Sequence, residues 1–120
     1  MDIQKTLDKI RNHPDSPKIG MIASHLGVVR GNSRNGREVK GVEVTYDIEV
    51  LNNIISDIKK LSGIIEVKVE VNSGRLDVGA PILFVAVAGD IRENVFPALI
   101  KAVDLIKKNA SKKKEIFKQG

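Results

Sequence analysis

Ile48-Glu49-Val50-Leu51-Asn52-Asn53-Ile54-Ile55-Ser56-Asp57-Ile58-Lys59-Lys60-Leu61-Ser62-Gly63-Ile64-Ile65-Glu66-Val67-Lys68-Val69-Glu70-Val71 carries two apolar periods in succession. Ile48, Leu51, Ile54, Ile55, Ile58 and Leu61 recur at helical spacing, and Gly63 supplies the stop. Ile65, Val67, Val69 and Val71 then alternate with Glu66, Lys68 and Glu70, the pattern of a strand with one face buried and one in water. A helix running straight into a half-buried strand predicts helices packed on a sheet face.

Outward from this core the same logic places the other elements. Asp2 caps a short helix with Ile3, Leu7 and Ile10 on one face, ending before the turn His13-Pro14-Asp15-Ser16-Pro17. A mostly apolar strand, Lys18 to Val29, runs into Arg30-Gly31-Asn32-Ser33-Arg34-Asn35-Gly36. Val42, Val44 and Tyr46 alternate in a second strand, so the two read as a long-looped hairpin. Gly74-Arg75-Leu76-Asp77-Val78-Gly79 lacks the Gly-Lys-Ser/Thr of a P-loop and reads as a loop between strands.

Ile82 to Ala88 is continuously apolar and predicts a central strand. A last helix begins near Asp90, with Glu93 completing a capping box, or later at Asn94 because Pro97 is costly inside a helix. Its buried stripe is Val95, Phe96, Leu99, Ala102, Val103 and Ile106. Residues 109–120 lose the apolar period and read as a basic tail, mobile or ordered by a partner. The order α-β-β-α-β-β-α predicts one α+β domain over 1–120, with helices on a mostly antiparallel sheet and residues 1–17 as N-terminal helix and linker.

Composition narrows the chemistry. There is no cysteine and only two histidines, which excludes thiolate chemistry and a histidine-rich metal site. His25, inside an apolar strand, reads as a packed, hydrogen-bonded residue. No apolar run reaches membrane-spanning length and no signal-peptide core is present, so the expectation is a cytoplasmic protein without a membrane partner. Aromatics make up only 3% of the chain, too few for base-stacking platforms. The net charge of +5 sits entirely in residues 101–120, where seven lysines face Asp104 and Glu115. That excess favours an anionic partner or substrate. It also gives salt-sensitive affinity for nucleic acid without making nucleic acid the expected partner.

The basic groups are therefore the candidates. Arg30 follows a buried strand among glycines, where a guanidinium can grip an anion. Arg92 falls in the first turn of the last helix, beside free backbone N–H groups. Lys107 and Lys108 end that helix, and Lys112, Lys113 and Lys114 exceed what capping needs.

Three landmarks in this order resemble the large (catalytic) subunit of molybdopterin synthase, over about Gly20 to Gly120. They are Gly27-Val28-Val29-Arg30-Gly31, then Gly74-Arg75-Leu76-Asp77-Val78-Gly79, then the last helix with Arg92, Phe96 and Asp104-Leu105-Ile106-Lys107, followed by Lys113-Lys114-Glu115. The resemblance implies an α/β hammerhead fold and transfer of sulfur to a cyclic pyranopterin monophosphate, forming the dithiolene of molybdopterin. It implies that sulfur arrives as a thiocarboxylate on the C-terminal glycine of a small ubiquitin-like subunit. The large subunits would form a central homodimer with one small subunit at each end, and pocket residues would be shared across the dimer. No cofactor is implied.

Carried onto this chain, the resemblance makes Arg30 and Arg92 substrate-binding and Lys107 catalytic. Lys113 is the second catalytic lysine if a one-residue deletion falls just before it; without the deletion that role falls to Lys114, otherwise a substrate-binding residue. The chain departs from the family pattern at Ile91, where a histidine precedes the arginine, and at His25, where a phenylalanine is expected. Arg34 has no matched role. A non-catalytic module of the same fold, binding an anionic ligand or a small carrier protein, is the alternative.

Overall fold

The computed structural model describes residues 1–119; Gly120, the end of the expected tail, lies outside them. In chain order the elements are α1 (Ile3–Arg11), a 3₁₀ turn (Ser16–Lys18), β1 (Met21–Val28), β2 (Val39–Tyr46), α2 (Ile48–Lys59) and β3 (Ile64–Val71). There follow β4 (Gly74–Asp77), β5 (Pro81–Gly89), α3 (Arg92–Leu105), a π-helical turn (Ile106–Ala110) and β6 (Ser111–Phe117). The strands form two three-stranded sheets, ordered β1-β5-β3 and β4-β2-β6, and every pairing is antiparallel.

β5 is central because it is apolar on both faces. Leu83, Val85 and Val87 join the core beneath α2 and α3, with Leu51, Ile54, Ile58, Val95, Ala98 and Ala102. Phe84, Ala86 and Ala88 face the other way and pack against Ile10 of α1. The helix caps follow the sequence: Asp2 accepts from the Lys5 N–H at 3.0 Å, and Asp47 from the Val50 N–H at 3.1 Å. Gly63 takes φ +76°, the left-handed conformation that stops the chain after α2.

Several expectations are corrected. β1 and β2 are not a hairpin; they lie in different sheets, joined only by an isolated Asn32–Glu38 bridge. Gly74–Asp77 is not a plain loop but an edge strand paired with Gly41–Val44 of β2. The basic tail is not unstructured: Ser111–Phe117 pairs along most of β2, with Lys113 opposite Val44. In α3 the buried positions are Val95, Ala98 and Ala102, while Phe96 is 49% exposed. α3 begins at Arg92 after an Ile91 N-cap with no side-chain bond; Asp90 instead accepts from the Ile91 N–H at 2.7 Å and Asn94 Nδ2 at 2.9 Å.

The polar face of β3 is also covered rather than solvated. α1 lies over it, with the Thr6 hydroxyl donating to Glu70 at 2.9 Å, and Glu66 is only 6% exposed. Burial alone would raise the Glu66 carboxyl. The bond from Lys59 Nζ at 2.8 Å, the Val67 N–H and the charges of Lys59 and Lys68 outweigh it and hold the carboxyl below its usual range. A depressed carboxylate stabilises the fold above its unfolded pKa, and that contribution is lost as pH falls through the folded one. Glu66→Gln should therefore lower stability at pH 7 by about 1–2 kcal/mol. Urea unfolding should show the gap to wild type closing in acid, below the unperturbed value of 4.5.

Candidate anion-binding and catalytic cleft

The cleft is built where the two sheets and the end of α3 meet. Val29 anchors one wall: it is buried, its N–H donates to the Ala80 carbonyl at 2.9 Å, and its carbonyl accepts from Gly79 at 2.8 Å. The chain then forms a tight loop. Ser33 N–H donates to the Arg37 carbonyl at 2.9 Å, Gly36 N–H to the Ser33 carbonyl at 3.0 Å, and Gly36 takes φ +86°. This loop carries Arg30 and Arg34.

On the opposite side α3 widens into the π-helical turn. Ile106 and Ala110 stay buried while Lys107 is exposed to the cleft, and such turns recur at functional sites. Ser111 then starts β6, where side chains alternate across the strand. Ser111, Lys113, Glu115 and Phe117 fall on the cleft side, whereas Lys114 lines none of its cavities. Lys112 belongs to a separate cavity with Thr45 and Lys108.

Three adjoining cavities of about 360, 310 and 240 Å³ make up the cleft, and all three are lined by Arg34 and Lys113. Arg30 lines the two smaller ones; Lys107 lines the largest and the smallest. Among the described residues, four cations thus surround one space lined by a single acid, Glu115. Such a space favours a ligand with more than one negative group.

The inner wall is polar in a different way. Tyr46 donates its hydroxyl to the Ile82 carbonyl at 3.3 Å, and burial pushes its phenol pKa up, so it remains neutral. His25 also lines this part of the cleft. It is not the hydrogen-bonded core residue expected from sequence: its Nε2 is shielded from solvent and has no hydrogen-bond partner among the described residues. Burial and then the Lys107 charge push its pKa below 6.5, so the imidazole is neutral at pH 7.

Arg30, Lys107 and Lys113 therefore meet within one chain, and Arg92 does not join them. Arg92 opens α3 beside the Gly89 end of β5, with its Nε 3.4 Å from Glu93. Lys107 lies just past the other end of this 14-residue helix, about 20 Å away at 1.5 Å per residue. Sequence reasoning left Arg34 and His25 outside the site. Arg34 had a signal in its loop of glycines and asparagines, but only the folded loop turns it inward.

The family described as MoaE protein matches residues 1–109. The chain belongs to this family. No curated protein matches the MoaE chain at a significant level. Among solved structures, it is similar to molybdopterin cofactor biosynthesis protein E from Burkholderia multivorans ATCC 17616. The identity is 25%, with 98% of this chain and 82% of the other covered, at a TM-score of 0.78. Molybdopterin synthase from Staphylococcus aureus shares the fold at 23% identity and TM-score 0.74, covering 86% of this chain and 78% of its own. A complex of subunits 1 and 2 of molybdopterin-converting factor from Helicobacter pylori 26695 also matches. It has 17% identity and TM-score 0.73, covering 98% and 80%. The mixed architecture of antiparallel sheets and packed helices is thus the MoaE fold.

Proposed function

We propose that this MoaE-family chain is the sulfur-transferring large subunit of a molybdopterin synthase, acting in molybdenum cofactor biosynthesis. Family membership supports the pathway. One observation supports the chemistry: Arg30, Arg34, Lys107 and Lys113 surround a single cleft. In this reading Arg30 and Arg34 hold the anionic cyclic pyranopterin monophosphate. The thiocarboxylated C-terminal glycine of a small ubiquitin-like carrier enters beside Lys107 and Lys113. Those ammonium groups stabilise the oxyanion that forms when the acyl carbon is attacked.

The assembly proposed is a homodimer core with one small subunit at each end, the whole chain 1–120 serving as one domain. Complex formation between the two subunits in the Helicobacter pylori relative supports a small partner. Arg92, about 20 Å from Lys107 along α3, then acts in the neighbouring protomer's cleft. No resident cofactor is needed, and the reaction is assigned to the cytoplasm. Among the described residues no helix is long and apolar enough to cross a membrane.

The test is reconstitution: purified chain, thiocarboxylated carrier and cyclic pyranopterin monophosphate should yield molybdopterin. No product with a cognate carrier that binds would reject the proposal. Ile91, 51% exposed where the family has histidine, favours the second reading, a binding module that has lost the reaction. That reading expects no turnover by the unaltered protein and its appearance in Ile91→His.

A further inference from the structure

The buried nitrogen in the cleft wall is the feature that the proposed reaction leaves unused. His25 stands on β1 opposite Val85 of β5, on the same face as Ala23, which packs into the core beneath α3. Gly27, two residues on, makes room for it: a Cβ there would lie 3.3 Å from His25 Nε2. A buried polar nitrogen without a partner costs about 1–3 kcal/mol, so Nε2 holds its place at a net expense. The groups that share its cavity from other elements are Arg34, Tyr46, Lys107 and Lys113. Burial and then the Lys107 charge favour the neutral imidazole, and Tyr46 is a neutral phenol.

At neutral pH that makes His25 a group in the cavity able to accept a proton readily. Arg34 is permanently charged, and burial raises the Tyr46 pKa. Glu115 belongs to the two smaller cavities and not to the one that holds His25. If sulfur leaves the carrier, the bond between the carrier's acyl carbon and sulfur must break, and water is the simplest acceptor of the acyl group. Water adds efficiently only if a base removes its proton.

We propose that His25 is the proton-transfer residue of this cleft, taking at Nδ1, the ring nitrogen that is not shielded from solvent, the proton of the water that releases the acyl group from sulfur. The inference rests on the sulfur-transfer reading above. The thiocarboxylate sulfur first attacks a carbon of the pterin substrate that carries an oxygen of the cyclic phosphate; that carbon–oxygen bond breaks with its electron pair going to the phosphate oxygen, which stays on the opened phosphate, and a thioester results. Water oxygen then adds to the acyl carbon as its proton passes to His25. The carbon–sulfur bond breaks with its electron pair going to sulfur, and the imidazolium returns the proton to the thiolate. The products are the carrier's carboxylic acid and a thiol on the pterin; no oxidant or reductant is consumed. The residue at position 91, an isoleucine, has no part in this transfer.

Single-turnover sulfur transfer, followed against pH for wild type, His25→Gln and His25→Phe, tests the assignment. Wild type should lose rate on the acid side as the imidazole protonates, with a midpoint below 6.5. Both variants should be slower by about 100-fold, with the acid limb gone and carrier affinity unchanged. A second measurement needs no variant: the His25 ring signal in the NMR spectrum of the wild-type protein should titrate below 6.5, and a midpoint at or above that value overturns the assignment. Turnover by wild type together with full rate and the same acid limb in His25→Gln overturns the role of His25 alone. No turnover by wild type overturns the sulfur-transfer reading and this inference with it.

Discussion

Lys113→Ala should reduce sulfur transfer by about 100-fold or more while leaving the fold intact, whereas Lys114→Ala should leave it near wild type. The two lysines are neighbours with the same charge, so net charge and tail composition treat them alike. β6 separates them. Lys113 pairs opposite Val44 and lines all three cavities of the cleft; Lys114 pairs opposite exposed Glu43 and lines none of them. Strand alternation makes a one-residue shift equivalent to a change of face. Lys107→Ala should resemble Lys113→Ala, since its ammonium borders the same space. Parallel single-turnover assays, with thermal melts to check folding, measure the difference. Equal losses in Lys113→Ala and Lys114→Ala would mean that the tail acts through bulk charge.

Mixing two inactive chains should restore activity. Arg92→Ala and Lys113→Ala should each be severely impaired alone. If Arg92 completes the cleft of the neighbouring protomer, a dimer of one chain of each kind holds one site with both substitutions and one with neither. Random re-pairing of equal amounts makes about half the dimers mixed, so about a quarter of wild-type turnover should return. The geometry behind this is the length of α3, which keeps Arg92 at the far end of the sheet from Lys107. Arg34→Ala mixed with Lys113→Ala should show no recovery, because both groups line the same cleft of one chain. Recovery in neither mixture, after exchange has been verified, would mean that Arg92 does not act in the neighbouring protomer's cleft.

The elements legible in the sequence were those whose pattern is local. α2 and β5 follow from the spacing of their apolar residues, and the helix starts from Asp2 and Asp47 in reach of the N–H groups they cap. What escaped depended on distant partners. Nothing in Met21–Val28 or Val39–Tyr46 says that they pair in separate sheets. β6 is Ser-Lys-Lys-Lys-Glu-Ile-Phe, with no apolar alternation in its first half, and β2 supplies its order. Glu66 read as solvated until α1 was laid over β3. The same limit hid half of the site: Arg30 and Lys107 stood out, but Arg34 needed the loop closed by Ser33 and Gly36. His25 looked like core until its Nε2 was seen to lack a partner.

The most direct measurement is the mass of the carrier subunit after one turnover with this chain and cyclic pyranopterin monophosphate. Sulfur transfer predicts that the carrier loses one sulfur and gains one oxygen at its C-terminal glycine, in step with the appearance of dithiolene on the pterin. A carrier that binds but keeps its thiocarboxylate, with the pterin unchanged, would contradict it.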